Sequence, residues 1–370
     1  MWWLDRMLRT KHPLVEKMTL FWHGHFATSA RKVPVPLMAQ QIDLFRAQAL
    51  GNFRQLLIAV SRDPAMLVWL DNRYNYKAHP NENYAREVME LFTLGLGNYS
   101  ERDVKEAARA FTGWTLGKNF AFIYRPQLHD SGIKTVLGHT GSWDGEDVIN
   151  LMVSQPASTQ FMAHKLLEFF VYSDPEPELI DATANVYALA GYDIAKTVGT
   201  LLRSNVFDSQ RAYRAIPKSP IEFAMGVLRY IGAPQVPANL PYHLSRMGQD
   251  LLAPPSVKGW DGGPAWINTA TLLARFNFVN SLLATRSPNS VINPDTLVQA
   301  AGGMNAQAIL NLVLAQAIQD DLTSQVRQTL GEYLQSSGSS NPTPFGYENY
   351  QAKVRGLVSL VLNLPVNQLN

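Results

Sequence analysis

The sequence predicts a mainly α fold, a compact multi-helical domain with a small β-hairpin insertion near residues 118–140. Three observations carry this reading. Apolar residues recur at three- and four-residue steps along most of the chain, the spacing that lines one face of an α-helix. Between 118 and 144 that period gives way to the alternating "NFAFIYRPQLHD" and the short, Gly-bounded "IKTVLGHTG", which are marks of strands and turns. Local start and stop signals agree, with a stop at Gly95 and Gly97 and a capping box at Ser100–Asp103.

In chain order, residues 13–29 place Leu14, Met18, Phe21, Trp22 and Phe26 on helical steps. Residues 36–60 continue the pattern with Leu37, Ile42, Phe45, Ala49, Phe53, Leu57 and Val60. A short helix is expected at 63–70. The polar and aromatic "DNRYNYKAHPNEN" that follows reads as an irregular loop. Helix resumes near Asn83, runs to about Leu94 and stops at Gly95 and Gly97. Ser100-Glu101-Arg102-Asp103 has the form of an acidic capping box opening a helix over 101–112. Beyond the β insertion, helices are expected at 145–153, 157–172, 177–191, 193–204, 219–232, 240–249, 268–284, 304–318, 321–335 and 346–362. The segment "LLAPPSVKGWDGGPAWIN" (251–268) is too apolar for a linker and reads as an ordered, packed loop. The run "SSGSSNPTPFG" (336–346) is the flexible segment. No tandem repeat is present, and residues 1–370 read as one unit.

Composition narrows the function. Hydrophobic residues make up 46% and charged residues 17% of 370, which excludes a disordered chain. With 32 basic against 30 acidic residues the net charge is +2, so no broad field draws nucleic acid. Cysteine is absent, which excludes disulfides, thiol nucleophiles and thiolate-held metals. Any metal would sit on His, Asp, Glu, Asn or carbonyl oxygens. The opening "MWWLDRMLRTKHPLVEK" is no signal peptide, because Asp5, Arg6 and Arg9 interrupt it. It starts on Trp2-Trp3 without a polar lead-in, and the native chain is expected to extend upstream. No stretch is long and apolar enough to span a bilayer.

Five groups of residues could carry chemistry. His23 and His25 stand in "FWHGHF", boxed by aromatic rings that favour neutral imidazoles. On a regular helix a separation of two turns side chains about 200° apart, so the pair converges only if Gly24 breaks the helix. Otherwise they are buried histidines on separate surfaces. Glu82, Arg86 and Glu90 share one helical stripe, with Glu87 and Glu90 three apart. That is either a solvated ion-pair ladder or a carboxylate pair aimed into a cleft, as in metal-holding bundles. His129, Asp130, Lys134 and His139 lie around a hairpin end, where neighbouring strand residues face opposite sides unless a turn intervenes. Arg109 with Trp114, and Lys258 with Trp260 and Trp266, are candidate stacking surfaces, although core packing is the common use of Trp. No phosphate loop, dinucleotide fingerprint, nucleophile elbow or His-Glu-x-x-His pair occurs.

Several of these blocks occur together and in order. They are "PLVEKMTLFWHGHFATS" at 13–29, "NENYAREVMELFTLGLGNYSERDVKEAARAFTGWTL" at 81–116, "HDSGIKTVLG" at 129–138, "KLLEFFV" at 165–171 and "PPSVKGWDGGPAWINTATLLAR" at 254–275. In these the chain resembles the bacterial proteins of domain of unknown function 1800. The final "LVSLVLNLPVNQLN" departs from that family's Pro-Glu-Phe ending. The resemblance implies a further N-terminal stretch of helices and often an export signal, hence a periplasmic or cell-envelope address. It also implies a genomic neighbour that is exported, twin-arginine-targeted and sulfatase-like. It supplies no activity.

Two readings follow. In the first, the chain is an envelope enzyme, hydrolase-like, that acts on a polar substrate. Its chemistry would rest on His23, His25, Glu87, Glu90, Arg109 and His129. His23, His25, Glu87 and Glu90 would hold a divalent metal or act as acid–base pairs, while Arg86, Trp114, Lys134 and Trp260 would contact substrate. In the second, the chain is a non-catalytic assembly or maturation partner of the exported neighbour. Its polar clusters would then be internal networks, and Trp260 would belong to the docking surface.

Overall fold

A computed structural model describes residues 1–284, 292–336, 345–346 and 349–370. The expected flexible segment, 336–346, lies outside the described residues except at 336, 345 and 346.

The chain begins with α1 (Trp2–Arg9), α2 (Pro13–His25), α3 (Val35–Ala47), α4 (Phe53–Ser61) and α5 (Pro64–Trp69), then a 3-10 turn at Asn72–Tyr74. Helix α6 (Asn83–Glu87) runs straight into a π-helical turn, Val88–Thr93, and α7 (Glu101–Ala110) follows. Strands β1 (Trp114–Leu116), β2 (Phe122–Tyr124), β3 (Lys134–Val136) and β4 (His139–Gly141) form the insertion. Next come α8 (Gly145–Val153), α9 (Pro156–Phe170), α10 (Pro177–Leu189) and α11 (Ile194–Leu201). The rest is α12 (Pro220–Tyr230), α13 (Leu240–Arg246), α14 (Thr269–Ala284), α15 (Pro294–Ala300), α16 (Ala306–Ile318), α17 (Ser324–Gln335) and α18 (Tyr350–Leu362).

The mainly α class stands. The insertion is two antiparallel hairpins, β1 on β2 with Thr115 opposite Ile123, and β3 on β4 with Thr135 opposite Thr140. Residues 36–60 are two helices, because the Asn52 side chain accepts from the Gln55 N–H and starts α4 afresh. The capping box at Ser100 and Asp103 forms as expected. Helices α1 and α15 add to those anticipated from periodicity, and each is a short element of eight residues or fewer.

Two compact units emerge. One comprises Lys11–Ala215 and Leu251–Asp261. Its core is built on α2 and the residue that ends it: Met18, Trp22 and Phe26 are inaccessible to solvent, and the last two meet Phe45, Phe53 and Phe92 from other elements. Burying such rings supplies most of the driving force and fixes their tilt against one another. The Trp22 indole N–H donates to the Ala49 carbonyl at 2.9 Å, and Arg46 on α3 pairs with buried Glu16 on α2 at 2.8 Å.

The other unit comprises Met1–Thr10, Ile216–Asp250 and Gly262–Asn370. Phe278, Val313, Leu357 and Val361 from α14, α16 and α18 fill its centre. Arg275 on α14 is fully buried there. It donates to the Gln368 side chain at 3.1 Å and to the Lys218 carbonyl at 2.7 Å, and it lies over Phe223. Burial lowers its pKa to about 10. The C-terminal segment is thereby anchored within this unit, reinforced by the Asn370 N–H bond to the Ile216 carbonyl.

Candidate functional site

Helix α2 stays regular through His25, so Gly24 does not bring the two imidazoles together. They serve different neighbours. His23 is inaccessible to solvent and meets Trp260 edge to face, with ring centroids 5.5 Å apart. Trp260 follows Gly259, which adopts φ +83°, and its N–H closes a turn onto the Ser256 carbonyl at 3.1 Å. A Cβ at Gly259 would collide with the Gly24 carbonyl. The glycines of "FWHGHF" and "VKGWDGG" thus mark one contact, made by close backbone approach. Burial lowers the His23 pKa to about 3, which leaves a neutral ring.

His25 turns toward the π-helical turn. Its Nε2–H donates to the Phe92 carbonyl at 3.1 Å, which assigns the ε tautomer and leaves a lone pair on Nδ1. That carbonyl lies at the end of the helix, where no following N–H continues the ladder. The π register is set by the Leu94 N–H bonding to the Met89 carbonyl at 2.8 Å. Rings of Phe21, Trp22, Phe26, Phe53, Phe92 and Phe161 surround the imidazole. Burial, and secondarily the charge of Lys165, lowers its pKa to about 3 against the opposing bond to Phe92.

The carboxylates of α6 and the π turn also separate. Glu90 accepts from the Tyr99 hydroxyl at 2.9 Å. Arg86 holds Glu101 at 2.6 and 2.8 Å and Glu82 at 3.2 Å, so of the Glu82–Arg86–Glu90 ladder only the first rung forms, and Glu101 from α7 takes the place of Glu90. Those two bonds to Glu101 raise the Arg86 pKa. Glu87 is half-buried and, among the described residues, has no hydrogen-bond or ion-pair partner. Burial first, then the Glu90 charge, raises its pKa, while Arg86 and Lys258 oppose the shift. Lys258 belongs to the turn that delivers Trp260, so the 251–261 segment brings both an indole to His23 and a cation toward Glu87. No three His, Asp or Glu side chains gather closely enough to hold a metal among the described residues. His23, His25, Glu87 and Glu90 are therefore not assembled as one ligand set, and the unbroken helix at Gly24 is the reason on the histidine side.

Arg109, His129 and Lys134 form a separate network that fastens the insertion to α7. Arg109 grips Asp130 through Nε at 2.7 Å and Nη2 at 3.1 Å, Glu106 at 2.8 Å and the Ile133 carbonyl at 3.1 Å. The paired bond to Arg109 holds the Asp130 carboxyl below its ordinary range. His129 Nδ1–H donates to the Thr112 carbonyl at 3.0 Å. Lys134, 1% exposed, donates to the Asp130 and Gly132 carbonyls at 2.5 and 2.9 Å, and burial lowers its pKa. Gly132 leaves room for Arg109, since a Cβ there would crowd the guanidinium. Trp114 is core, packed between Phe111 and Phe122 with Arg62 over its face.

Two clusters escaped the reading of the sequence. In the first, Gln41 donates to buried Asp63 at 2.8 Å and accepts from Thr28, while Asp63 also caps α5 by accepting from the Met66 N–H at 3.1 Å. Burial raises the Asp63 pKa to about 6. The second is a pocket of about 460 Å³ between the Asn72–Tyr74 turn and the first hairpin. Its signal was Arg interleaved with Tyr in "NRYNY".

A family model described as "Protein of unknown function (DUF1800)" matches residues 1–369. The chain belongs to that family. The match spans every residue discussed above except Asn370 and extends over both units of the DUF1800 chain. Neither a curated protein nor a solved structure matches the chain. Among the described residues no helix of this DUF1800 protein is long and apolar enough to cross a membrane.

Proposed function

We propose that this chain is a non-catalytic binding protein of the assembly or maturation type. The observation behind this reading is the commitment of its reactive groups. His25, His129 and Lys134 are tied to main-chain carbonyls, and Arg109 and Arg86 to carboxylates, in separate places. A hydrolytic centre needs such groups to converge on one reacting atom. The partner the family resemblance suggests is the exported, sulfatase-like neighbour, and an envelope address goes with it.

One observation favours the enzymatic alternative. Glu87 combines partial burial, a raised pKa and an uncommitted carboxyl, with Lys258 among the charges acting on it. That is the profile of a general acid or base.

The discriminating experiment takes the purified chain through two measurements. One is turnover of ester, phosphoester, sulfate-ester and glycoside substrates by the parent and by Glu87→Gln, with elemental analysis alongside. The other is complex formation with the purified neighbour protein by size-exclusion chromatography. Turnover lost in Glu87→Gln overturns the binding reading. A stoichiometric complex without turnover supports it.

A further inference from the structure

The pocket between the Asn72–Tyr74 turn and the β1–β2 hairpin carries an inference independent of whether the chain is catalytic. Its volume, about 460 Å³, suits a ligand of one or two rings. Arg73 and Arg125 both line it, and no Asp or Glu does. Several other guanidinium groups in this unit are matched to acids: Arg46 to Glu16, Arg86 to Glu101, Arg109 to Asp130. Arg73 and Arg125 have no carboxylate partner among the described residues. Arg73 lies instead over the Tyr74 ring at 4.6 Å, and its Nε is buried without a hydrogen-bond partner among the described residues. Such a donor is costly to leave unused.

The backbone holds both arginines in place. The Arg73 carbonyl accepts from the Thr115 hydroxyl at 2.7 Å, and the Arg125 N–H donates to the Gly113 carbonyl at 2.9 Å. Aromatic faces complete the wall: Tyr74 is 54% exposed and Phe120 42% exposed, with Tyr76 beside them. Asn119 and Phe120 both adopt φ +58° at the hairpin tip. A bulky residue in that left-handed region is strained, and strain of this kind collects at binding sites.

We propose that this pocket binds an acidic sugar, a pyranose carrying a carboxylate or phosphate. The two guanidinium forks take the oxyanion, since planar paired donors match it. The exposed Tyr74 and Phe120 rings cover the apolar C–H face of the sugar. Asn119 offers an amide to its hydroxyls. A wall that combines charge, amide and ring edges fits a hydroxylated ring better than an apolar ligand, which seeks a mostly hydrophobic enclosure.

The test is isothermal titration calorimetry on the full chain with digalacturonate, glucose 6-phosphate, cellobiose and inorganic phosphate. At least one charged sugar should bind with Kd of about 1 mM or tighter. Cellobiose and phosphate alone should bind at least about tenfold more weakly, because each offers only half of the recognised chemistry. Arg125→Ala, at an exposed position, should fold like the parent by circular dichroism and lose about tenfold or more in affinity. Arg125→Lys should fall between the two. Which charged sugar binds identifies the source of the oxyanion. The proposal is overturned by silence from both charged sugars, by cellobiose or phosphate binding equally well, or by unchanged affinity in folded Arg125→Ala.

Discussion

The imidazole of His23 meets the edge of the Trp260 indole at 5.5 Å, joining the second helix to a turn more than two hundred residues downstream. The contact exists because Gly259 lets the turn lie directly against the Gly24 carbonyl.

Gly259→Ala should therefore destabilise the protein by at least about 1 kcal/mol from its positive φ alone, and by more once the Cβ displaces the turn. Urea denaturation followed by Trp fluorescence reads both the stability loss and a red shift as Trp260 gains water. Unchanged stability and spectrum would show that the turn has slack.

Stability should fall with acid through the two histidines. Both have folded pKa values near 3, below the ordinary 6.5, so their contribution is present above pH 6.5 and lost as pH falls toward 3. Across that window the unfolded chain binds two protons that the folded chain refuses. His23→Phe keeps an aromatic ring against Trp260 and should remove about one proton from the slope of stability against pH. The denaturant midpoint measured from pH 4 to 7 decides this, and a parallel slope in the variant would contradict it.

Asp63 acts in the opposite sense. Its folded pKa of about 6 lies above its ordinary value, so its favourable contribution is present below about pH 4 and lost as pH rises through 6. Between those limits it cancels one of the two histidine protons. Asp63→Asn keeps an acceptor for the Met66 N–H, should steepen the slope by about one proton and should raise stability at pH 7 by on the order of 2 kcal/mol. A variant less stable than the parent at pH 7 would mean that the carboxylate's bonds outweigh its burial.

Arg109→Ala removes the peg between α7 and the insertion and should cost about 1–2 kcal/mol. Amide exchange should accelerate over residues 129–138 and stay unchanged over 13–29. Arg109→Lys should restore little, because a single ammonium cannot reproduce the fork on Asp130 and Glu106. Uniform exchange across both stretches would argue against a local peg.

The sequence by itself determined the helical class, the place of the β insertion, the capping box at Ser100 and the stop at Gly95, because these rest on spacing and on turn chemistry within a few residues. It also marked "FWHGHF" and "VKGWDGG" as important, since glycine beside aromatic rings is legible in one dimension. Only the tertiary structure decided what those marks mean. His25 bonds to a carbonyl 67 residues away, and Arg109 to a carboxylate 21 residues away, so whether each group is free for chemistry depends on partners that no local pattern names. The buried Asp63–Gln41 bond and the unmatched Arg73 and Arg125 were hidden for the same reason. Burial and charge pairing are properties of surfaces brought together, and distant segments acquire them only when the chain folds.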